Sequence, residues 1–200
     1  SRAVIHKGQL RCVERPTAAG HVFRVYDDAG MHVKDAAVWF GGRDYAANGD
    51  GEILVPFTTD KGDHDVVLHR GERSGRSQFA HRVEEYALSS QCHVDREALI
   101  AGSTARLLVR PTLQLAGRAV SLVLLQKPEL TIVATDVDGI ATTQTVRDVK
   151  LVDQREYVHE FAVPSRLRHL TVRLSGTVRD LRGTDVPLAT QATAFDLNGS

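Results

Sequence analysis

The sequence predicts an all-β protein made of two consecutive antiparallel β-sandwiches. Polar and apolar residues alternate through His169–Ser175, so Leu170, Val172 and Leu174 would point into a core. Turn signals rich in Gly, Asn and Asp recur about every 8–12 residues, a spacing typical of short strands in sandwiches. No segment keeps a helical apolar spacing over three turns, and Arg96–Ala101 could form one helical turn at most.

Three further segments support the strand prediction. Tyr157, Phe161 and Val163 fall on one face of a strand with a period of two. Ala105–Val109 and Ser121–Leu125 are short runs rich in Val and Leu, bounded by Gly or Pro. Such runs are typical of core-facing strands, so both are predicted as strands.

The composition excludes several classes of protein. The chain has 200 residues, of which 42% are hydrophobic, and this value is close to that of an average globular protein. Its 25 basic and 25 acidic residues give a net charge of zero, which argues against nucleic acid as a partner. Its longest apolar stretch, near Val120–Leu125, is far shorter than the roughly 18 residues of a membrane span.

The predicted domains follow the turn and strand pattern. Residues 1–19 are a leader strand or the tail of a preceding domain, with one strand at Gly8–Glu14. Residues 20–93 form the first sandwich and residues 94–200 the second, each with about seven strands. A short linker is expected at Gln91–Asp95. The start at Ser1, with no signal peptide, suggests a piece of a longer protein.

Two acidic turns are candidate calcium sites. Asn48–Glu52 and Asp136–Gly139 both carry carboxylate or amide oxygens beside Gly. An EF-hand needs a fuller set of oxygen ligands between two helices, and both segments lie among predicted strands. The sequence therefore favours hairpin turns over calcium binding at both places.

The nine histidines of the sequence are candidate metal ligands. His64 and His69 should lie on opposite faces of one strand because they are five residues apart. The other histidines considered each stand alone among strand residues: His32, His81, His93, His159 and His169. A zinc site needs about three or four converging ligands, so solvated histidines are expected and no metal site is predicted.

The segment His69–Arg76 offers two weak functional signals. Ser74 lies in a run that resembles a Gly-x-Ser-x-Gly elbow but is out of register, so a nucleophile is rejected. Arg70, Arg73 and Arg76 could touch an acidic partner, although a solvated hairpin tip is the expected structure.

Cys12 and Cys92 match no zinc spacing and have no signature of an activated thiolate. Either they are two buried thiols, or one disulfide ties the N-terminal segment to the end of the first sandwich. Asn198-Gly199-Ser200 fits a glycosylation sequon at the very end of the sequence.

Trp39 and Phe40, followed by Gly41-Gly42, form the one aromatic cluster of the sequence. Trp39 is expected to anchor the core of the first sandwich, since large aromatic side chains dominate the burial energy of a core. Surface recognition by Trp39 is the alternative.

The order of motifs in the first half resembles known sandwich families. Val25–Gly30, Val33–Phe40 and Ala47–Phe57 give a strand, an acidic Gly turn, a second strand, an Asp-Gly hairpin and a return strand. This pattern resembles transthyretin-like and carboxypeptidase-regulatory-like domains, and macroglobulin-type domains share the same order.

Residues 94–200 resemble the second macroglobulin-type domain of bacterial alpha-2-macroglobulin-like proteins. The matching stretches are Leu99–Arg106, Gly117–Val120, Thr135–Gly139 and Phe161–Pro164. The family's Gly-Cys-Gly-Glu-Gln thioester run has no counterpart here. The resemblance implies an immunoglobulin-like or macroglobulin-like scaffold, to which no catalytic residue can be carried over.

The sequence therefore predicts non-catalytic structural or interaction modules of a larger secreted or surface protein, of alpha-2-macroglobulin type under the resemblance. No catalytic residue, cofactor or metal is predicted, and the expected location is extracellular, periplasmic or at the cell surface. The partners would be other domains of the parent chain or another protein, with weak self-association through an edge strand. The alternative function is a carbohydrate- or peptide-binding module, which would need an exposed aromatic platform.

Overall fold

The computed structural model describes residues 9–196, and this part of the protein is built from β-strands. Helical structure in it is confined to two single 3₁₀ turns, Arg96–Ala98 and Leu122–Leu124. The all-β prediction is therefore confirmed. The chain divides into two compact units that meet between Glu84 and Glu85. Neither 3₁₀ turn is long and apolar enough to cross a membrane.

The first unit is a sandwich of two antiparallel sheets. Its strands are β1 (Arg11–Thr17), β2 (Gly20–Tyr26), β3 (Ala37–Phe40), β4 (Arg43–Ala46), β5 (Glu52–Val55), β6 (Gly62–Arg70) and β7 (Arg73–His81). One sheet has the order β1-β2-β5 and the other the order β4-β3-β6-β7. The described part of the predicted leader is thus β1, which pairs with β2 along its whole length.

Alternating side chains from both sheets form the core of this unit. Phe23 and Ile53 from the first sheet pack with Val38, Leu68 and Phe79 from the second. Each lies between more exposed neighbours on its strand, which is the pattern of a sheet with one face in a core.

The edges of the two sheets in the first unit lie against each other. Strand β1 contacts β7 on one side, and β4 contacts β5 on the other. Gly75 of β7 makes the first contact possible, because a Cβ at this position would overlap the backbone carbonyl oxygen of Leu10. The edges of this sandwich are therefore largely covered from within the unit.

The second unit is also a sandwich. Its strands are β8 (Tyr86–Val94), β9 (Thr104–Leu115), β10 (Arg118–Val120), β11 (Gln126–Asp136), β12 (Ala141–Arg147), β13 (Tyr157–Ala162), β14 (Leu167–Arg179), β15 (Asp185–Ala189) and β16 (Thr193–Asp196). Strand β9 pairs with β8 on one side and with β10 and β13 on the other. In the facing sheet, the order is β12-β11-β14, and β15 and β16 share the far side of β14.

The core of the second unit confirms the alternation that the sequence shows. Leu170, Val172 and Leu174 of β14 are at most 1% exposed, and they pack with Leu107 and Leu130. The single 3₁₀ turn at Arg96–Ala98 agrees with the prediction of at most one helical turn.

The predicted strand at Ser121–Leu125 is wrong, because this segment forms a 3₁₀ turn. Its backbone is held by a side chain instead of a neighbouring strand. The Leu122 N–H and the Ser121 hydroxyl both donate to the Asp153 carboxylate, at 2.7 Å each. Leu122 and Leu125 are buried, and their spacing of three residues fits the turn.

The division between the units differs from the predicted bounds, 20–93 and 94–200. Strand β8 includes most of the expected linker, and it pairs with β9 of the second unit from Tyr86 to Val94. Val83 bridges to Thr58 in the first unit, and the Glu85 carbonyl accepts from Ala116 of the second. Only Glu84 lies between these two attachments. The connection from β8 to β9 begins only at Asp95.

Candidate functional site

Both acidic turns considered for calcium are hairpin turns closed by a side chain. The Asn48 Oδ1 accepts the backbone N–H groups of Asp50 and Glu52 at 3.0 and 2.9 Å. The Asp136 Oδ1 accepts those of Asp138 and Ile140, both at 2.9 Å. The side-chain oxygen at the head of each turn is thus engaged by the backbone, as in an Asx turn.

The same turn occurs twice in each unit. Asp27 in the first unit and Asp180 in the second also accept the N–H groups two and four residues ahead. In all four turns the fourth residue is a glycine with φ between 75° and 82°, a conformation that glycine adopts without strain. Val25–Gly30 and Ala134–Gly139 are therefore similar in sequence because each ends a strand in this turn.

Three histidines gather inside the first sandwich. The rings of His21 and His81 are buried, with centroids 5.0 Å apart, and His64 lies 5.7 Å from His81. Phe40 stacks on His81 at 5.1 Å, and the edge of Phe79 meets both buried rings. The expectation of solvated histidines is therefore wrong for His81.

Hydrogen bonds indicate which nitrogen of the His21 ring carries the proton. Its Nδ1 lies 2.7 Å from the Glu14 carboxylate, and its Nε2 accepts the Arg82 backbone N–H at 3.1 Å. These bonds fit the neutral ring with its proton on Nδ1. At His81, burial lowers the pKa, and the neighbouring His21 lowers it further. The alternation of His21 with Phe23, and of His81 with Phe79, is the sequence signal that could have placed both rings in the core.

Metal coordination is a separate question for these side chains. Within residues 9–196, no three His, Cys, Asp or Glu side chains are placed to hold a metal ion. His64 and His69 lie on opposite faces of β6, since His64 pairs with Phe79 and His69 with Ser74. His69 instead contacts the Asp44 carboxylate at 2.7 Å on the outer face of its sheet.

The remaining candidates of the first unit lie on the β6–β7 hairpin. Ser74 is an exposed strand residue, and the strand-to-helix turn of a nucleophile elbow does not occur there. Arg70 pairs with Asp35, and Arg76 pairs with Asp65. Two of the three arginines therefore have acidic partners within their own unit.

Both cysteines are free thiols, and each is half-buried. Burial raises the pKa of the Cys12 thiol, and a hydrogen bond with Ser77 opposes this rise. A raised pKa keeps a thiol protonated and unreactive at neutral pH. The sequon residue Asn198 lies outside the described residues.

Trp39 lies on the outer face of its sheet, with 45% of its surface exposed. The prediction that it anchors the core is wrong, because its neighbours Val38 and Phe40 face inward and a strand alternates its side chains. Across the outer face Trp39 has Val67 on β6 and Asp44 on β4 as direct neighbours.

The surface around this ring combines apolar and charged groups. Val67 is 36% exposed, so it extends the apolar area beside Trp39. The ion pairs His69–Asp44 and Arg76–Asp65 lie on the same face. We call the outer surface formed by Trp39, Asp44, Val67, His69 and Arg76 the Trp39 face. An apolar centre with a polar rim is the usual anatomy of a protein-binding surface.

The second unit has an open sheet edge at β12. Six of its seven residues, all but Val146, are exposed, and its outer side pairs with no strand in the described part of the chain. Its inner side pairs with β11 over seven residues without a register shift. Beside this edge, the Gln144 amide lies 3.4 Å from the His159 ring.

The second unit also carries an open groove of about 730 Å³ on the outer face of β11, β14 and β15. Lys127, Glu129, Arg173 and Thr177 are among its lining residues. The pairing of β11 with β14 shifts register between Gln126 and Glu129, which opens the sheet surface at this point. The groove has no clear sequence signal, because the shift depends on how two distant strands meet.

Comparisons with known proteins show what this chain is similar to. Residues 95–200 match the family described as the AbpF third immunoglobulin-like domain. Actin-binding protein F of Dictyostelium discoideum is 29% identical over 188 residues, which is 90% of this chain and 8% of that protein. This chain therefore spans a small part of the length of its relative.

A solved structure of a tetra-tandem repeat, from the extending region of a large adhesion protein, is also similar. It shares 16% sequence identity at a TM-score of 0.35, over 94% of this chain and 49% of that chain. This similarity is too low to carry an inference.

The comparisons correct two expectations from the sequence. They give no support to the macroglobulin-type or carboxypeptidase-regulatory-like classes, although the immunoglobulin-like class is confirmed for residues 95–200. The expected extracellular, periplasmic or cell-surface location is contradicted, because the relative is an actin-binding protein and actin filaments lie inside cells. The family match covers more than half of the sequence, and the chain belongs to the family of the AbpF third immunoglobulin-like domain.

Proposed function

We propose that the chain is a non-catalytic pair of immunoglobulin-like modules of a larger actin-binding protein, and that the pair contacts the filament through the Trp39 face. The exposure of Trp39 carries the second part of the proposal. The first part draws on the relative, whose match of 188 residues is too long for either unit alone and must include both.

An exposed tryptophan on a flat sheet face is well suited to protein binding. Trp39 is the one tryptophan of the chain, and much of its apolar surface is exposed to solvent. Tryptophan is enriched among the residues that contribute most to the free energy of protein association. Val67 extends the apolar centre, and the surrounding ion pairs supply groups for the rim.

Co-sedimentation with actin filaments tests this proposal. We expect the 200-residue chain to sediment with filaments, and Trp39→Ala to weaken binding at least tenfold, roughly the loss of one central hot-spot residue. Val13→Ala is the matched control, because Val13 is 60% exposed on the other sheet of the same unit.

The outcomes separate the parts of the proposal. If the unsubstituted chain stays in the supernatant at every filament concentration, the pair does not contact actin. If Trp39→Ala sediments like the unsubstituted chain, the contact lies elsewhere. Circular dichroism of each variant checks that both units remain folded.

A second candidate is a carbohydrate- or peptide-binding module, which the exposure of Trp39 also favours. Aromatic rings on open sheet faces can stack on apolar faces of ligands. Because Trp39 is the single tryptophan, its fluorescence reports binding at this face directly. A saturable fluorescence change with an oligosaccharide or peptide library, together with no actin binding, would favour this candidate.

A further inference from the structure

The open edge of β12 is unusual among the sheet edges of residues 9–196. Its residues Ala141–Val146 carry no charge and no proline, and they keep a regular register with β11. Proteins commonly protect such edges with charges, prolines, bulges or a covering element, because unpaired backbone groups attract further strands. Ala141–Val146 is not protected by a charge, a proline or a bulge.

The other long edges of the second unit are better protected. Strand β8 is uncharged, but β14 and β15 of the facing sheet pack against it. Strand β13 carries Glu160, and β15 contains Pro187, which cannot donate a backbone hydrogen bond. In the first unit, the sheet edges lie against one another. The unprotected edge is therefore β12.

We propose that β12 is a self-association surface, on which β12 of a second copy of this chain pairs antiparallel, with the two Gln144 residues directly opposite each other. This arrangement joins the five-stranded sheets of the two copies into one continuous sheet across a two-fold axis, as closed dimers require. The proposal does not depend on actin binding.

The sequence of β12 is complementary to itself in this register. Thr143 lies opposite Thr145 of the second copy, and Thr142 lies opposite Val146 of the second copy; pairs of Thr and β-branched residues stabilise adjacent strands. Arg147, the one charged residue of β12, lies opposite Ala141 of the second copy, so no like charges face each other.

Charge at the two ends of the strand selects the antiparallel direction. Arg147 ends β12, whereas the turn that precedes the strand carries Asp136 and Asp138. Antiparallel pairing brings Arg147 of each copy, which pairs with Glu129 in its own unit, toward the turn of the other copy, where Asp138 pairs with Arg166. Parallel pairing would place the two Arg147 side chains side by side, which costs free energy.

The expected dimer is weak. A seven-residue strand edge buries less than the roughly 1,200 Å² at which stable interfaces begin, so exchange should be fast. The association should therefore be measured across a wide range of protein concentration.

A charge-swap experiment on the 200-residue chain tests the register. Sedimentation equilibrium should show a monomer–dimer equilibrium for the unsubstituted chain. Gln144→Lys and Gln144→Glu should each weaken dimerisation about fivefold, because each places two like charges opposite one another. An equimolar mixture of the two variants should dimerise at least as well as the unsubstituted chain.

The control is Gln78→Lys, the same change at an exposed position of β7 in the first unit, which should leave the dimer unaffected. The proposal is overturned if the unsubstituted chain stays monomeric up to its solubility limit. It is also overturned if either Gln144 variant dimerises normally, or if the mixture of variants fails to associate. Each of the three results contradicts a different part of the proposed pairing.

Discussion

At the scale of single residues, side-chain oxygens organise the turns, and buried rings organise the first core. The head of each Asx turn accepts two backbone N–H groups that would otherwise need water. His21 and His81 are polar residues placed among phenylalanines, and the hydrogen bonds of His21 offset the cost of its burial. Both features lead to predictions.

The first prediction concerns the turn at Asp136. Asp136→Ala removes the acceptor for the N–H groups of Asp138 and Ile140, and should lower the free energy of unfolding by about 1–2 kcal/mol. Asp136→Asn should cost much less, because an amide oxygen accepts the same bonds, as Asn48 does. Urea unfolding followed by circular dichroism checks both. Equal losses for the two variants would contradict the assigned role of the oxygen.

The second prediction concerns pH and His81. The pKa of His81 in the folded state lies below its ordinary value of 6.5, so the unfolded chain binds the proton more readily. The contribution of His81 to the free energy of unfolding is therefore fully present above about pH 6.5. It is lost progressively as the pH falls toward the lowered pKa. Tryptophan fluorescence in urea at about pH 8 and about pH 5.5 measures this, because most carboxylates stay ionised in that range.

His81→Phe provides the matched variant for this prediction. It keeps an aromatic ring beside Phe40 but cannot bind a proton, so the first unit should lose less stability between the two pH values. His21, His64 and Glu14 also face the cluster and are unchanged in the variant. An unchanged pH dependence in His81→Phe would mean that another group is responsible.

At the scale of the elements, contacts between sheet edges distinguish the two units. In the first unit, Gly75 admits the backbone of Leu10, so that the segment entering β1 lies directly on β7. In the second unit, β12 is left open. The contact between Leu10 and β7 requires glycine at position 75, because any side chain there would overlap the Leu10 backbone.

The third prediction tests this contact. Gly75→Ala places a Cβ against the Leu10 carbonyl oxygen and should lower the stability of the first unit by about 1–3 kcal/mol, the usual cost of overpacking. Gly49→Ala is the control, because no atom lies near the Cβ position there and it should be tolerated. Urea unfolding monitored by Trp39 fluorescence compares the two. Similar stabilities would show that β1 can move away from β7 freely.

The elements also show how far sequence reasoning reaches. Alternation in β14 identified Leu170, Val172 and Leu174 as core residues, because a strand with one buried face has only one register that buries them. The same rule applies to Trp39 between Val38 and Phe40, where the position in the strand, and not the size of the ring, decides which face the side chain takes.

Other features depend on contacts between distant residues. The turn at Ser121–Leu125 is fixed by Asp153, which lies about 30 residues further along the chain, so its local Val and Leu content was misleading. The open edge of β12 was expected only in general terms, since the order of strands in a sheet decides which strand is outermost.

At the scale of the whole molecule, two β-sandwiches, the second of them immunoglobulin-like, follow one another in a chain that spans 8% of its actin-binding relative. The sequence predicted two sandwiches but put the division inside β8, because one series of predicted strands stops near Ser89 and another opens at Glu97. In the structure, Asp95 and the 3₁₀ turn that follows it belong to a connection within the second unit. The family resemblance was less informative, since acidic Gly turns are shared by many sandwiches.

The single residue between the two attachments has a mechanical consequence. When a chain is pulled at its ends, slack segments straighten before folded ones yield. Glu84 can supply only about 3.6 Å of such extension, the reach of one residue. Tension would therefore pass almost at once into the hydrogen bonds of the strands on either side.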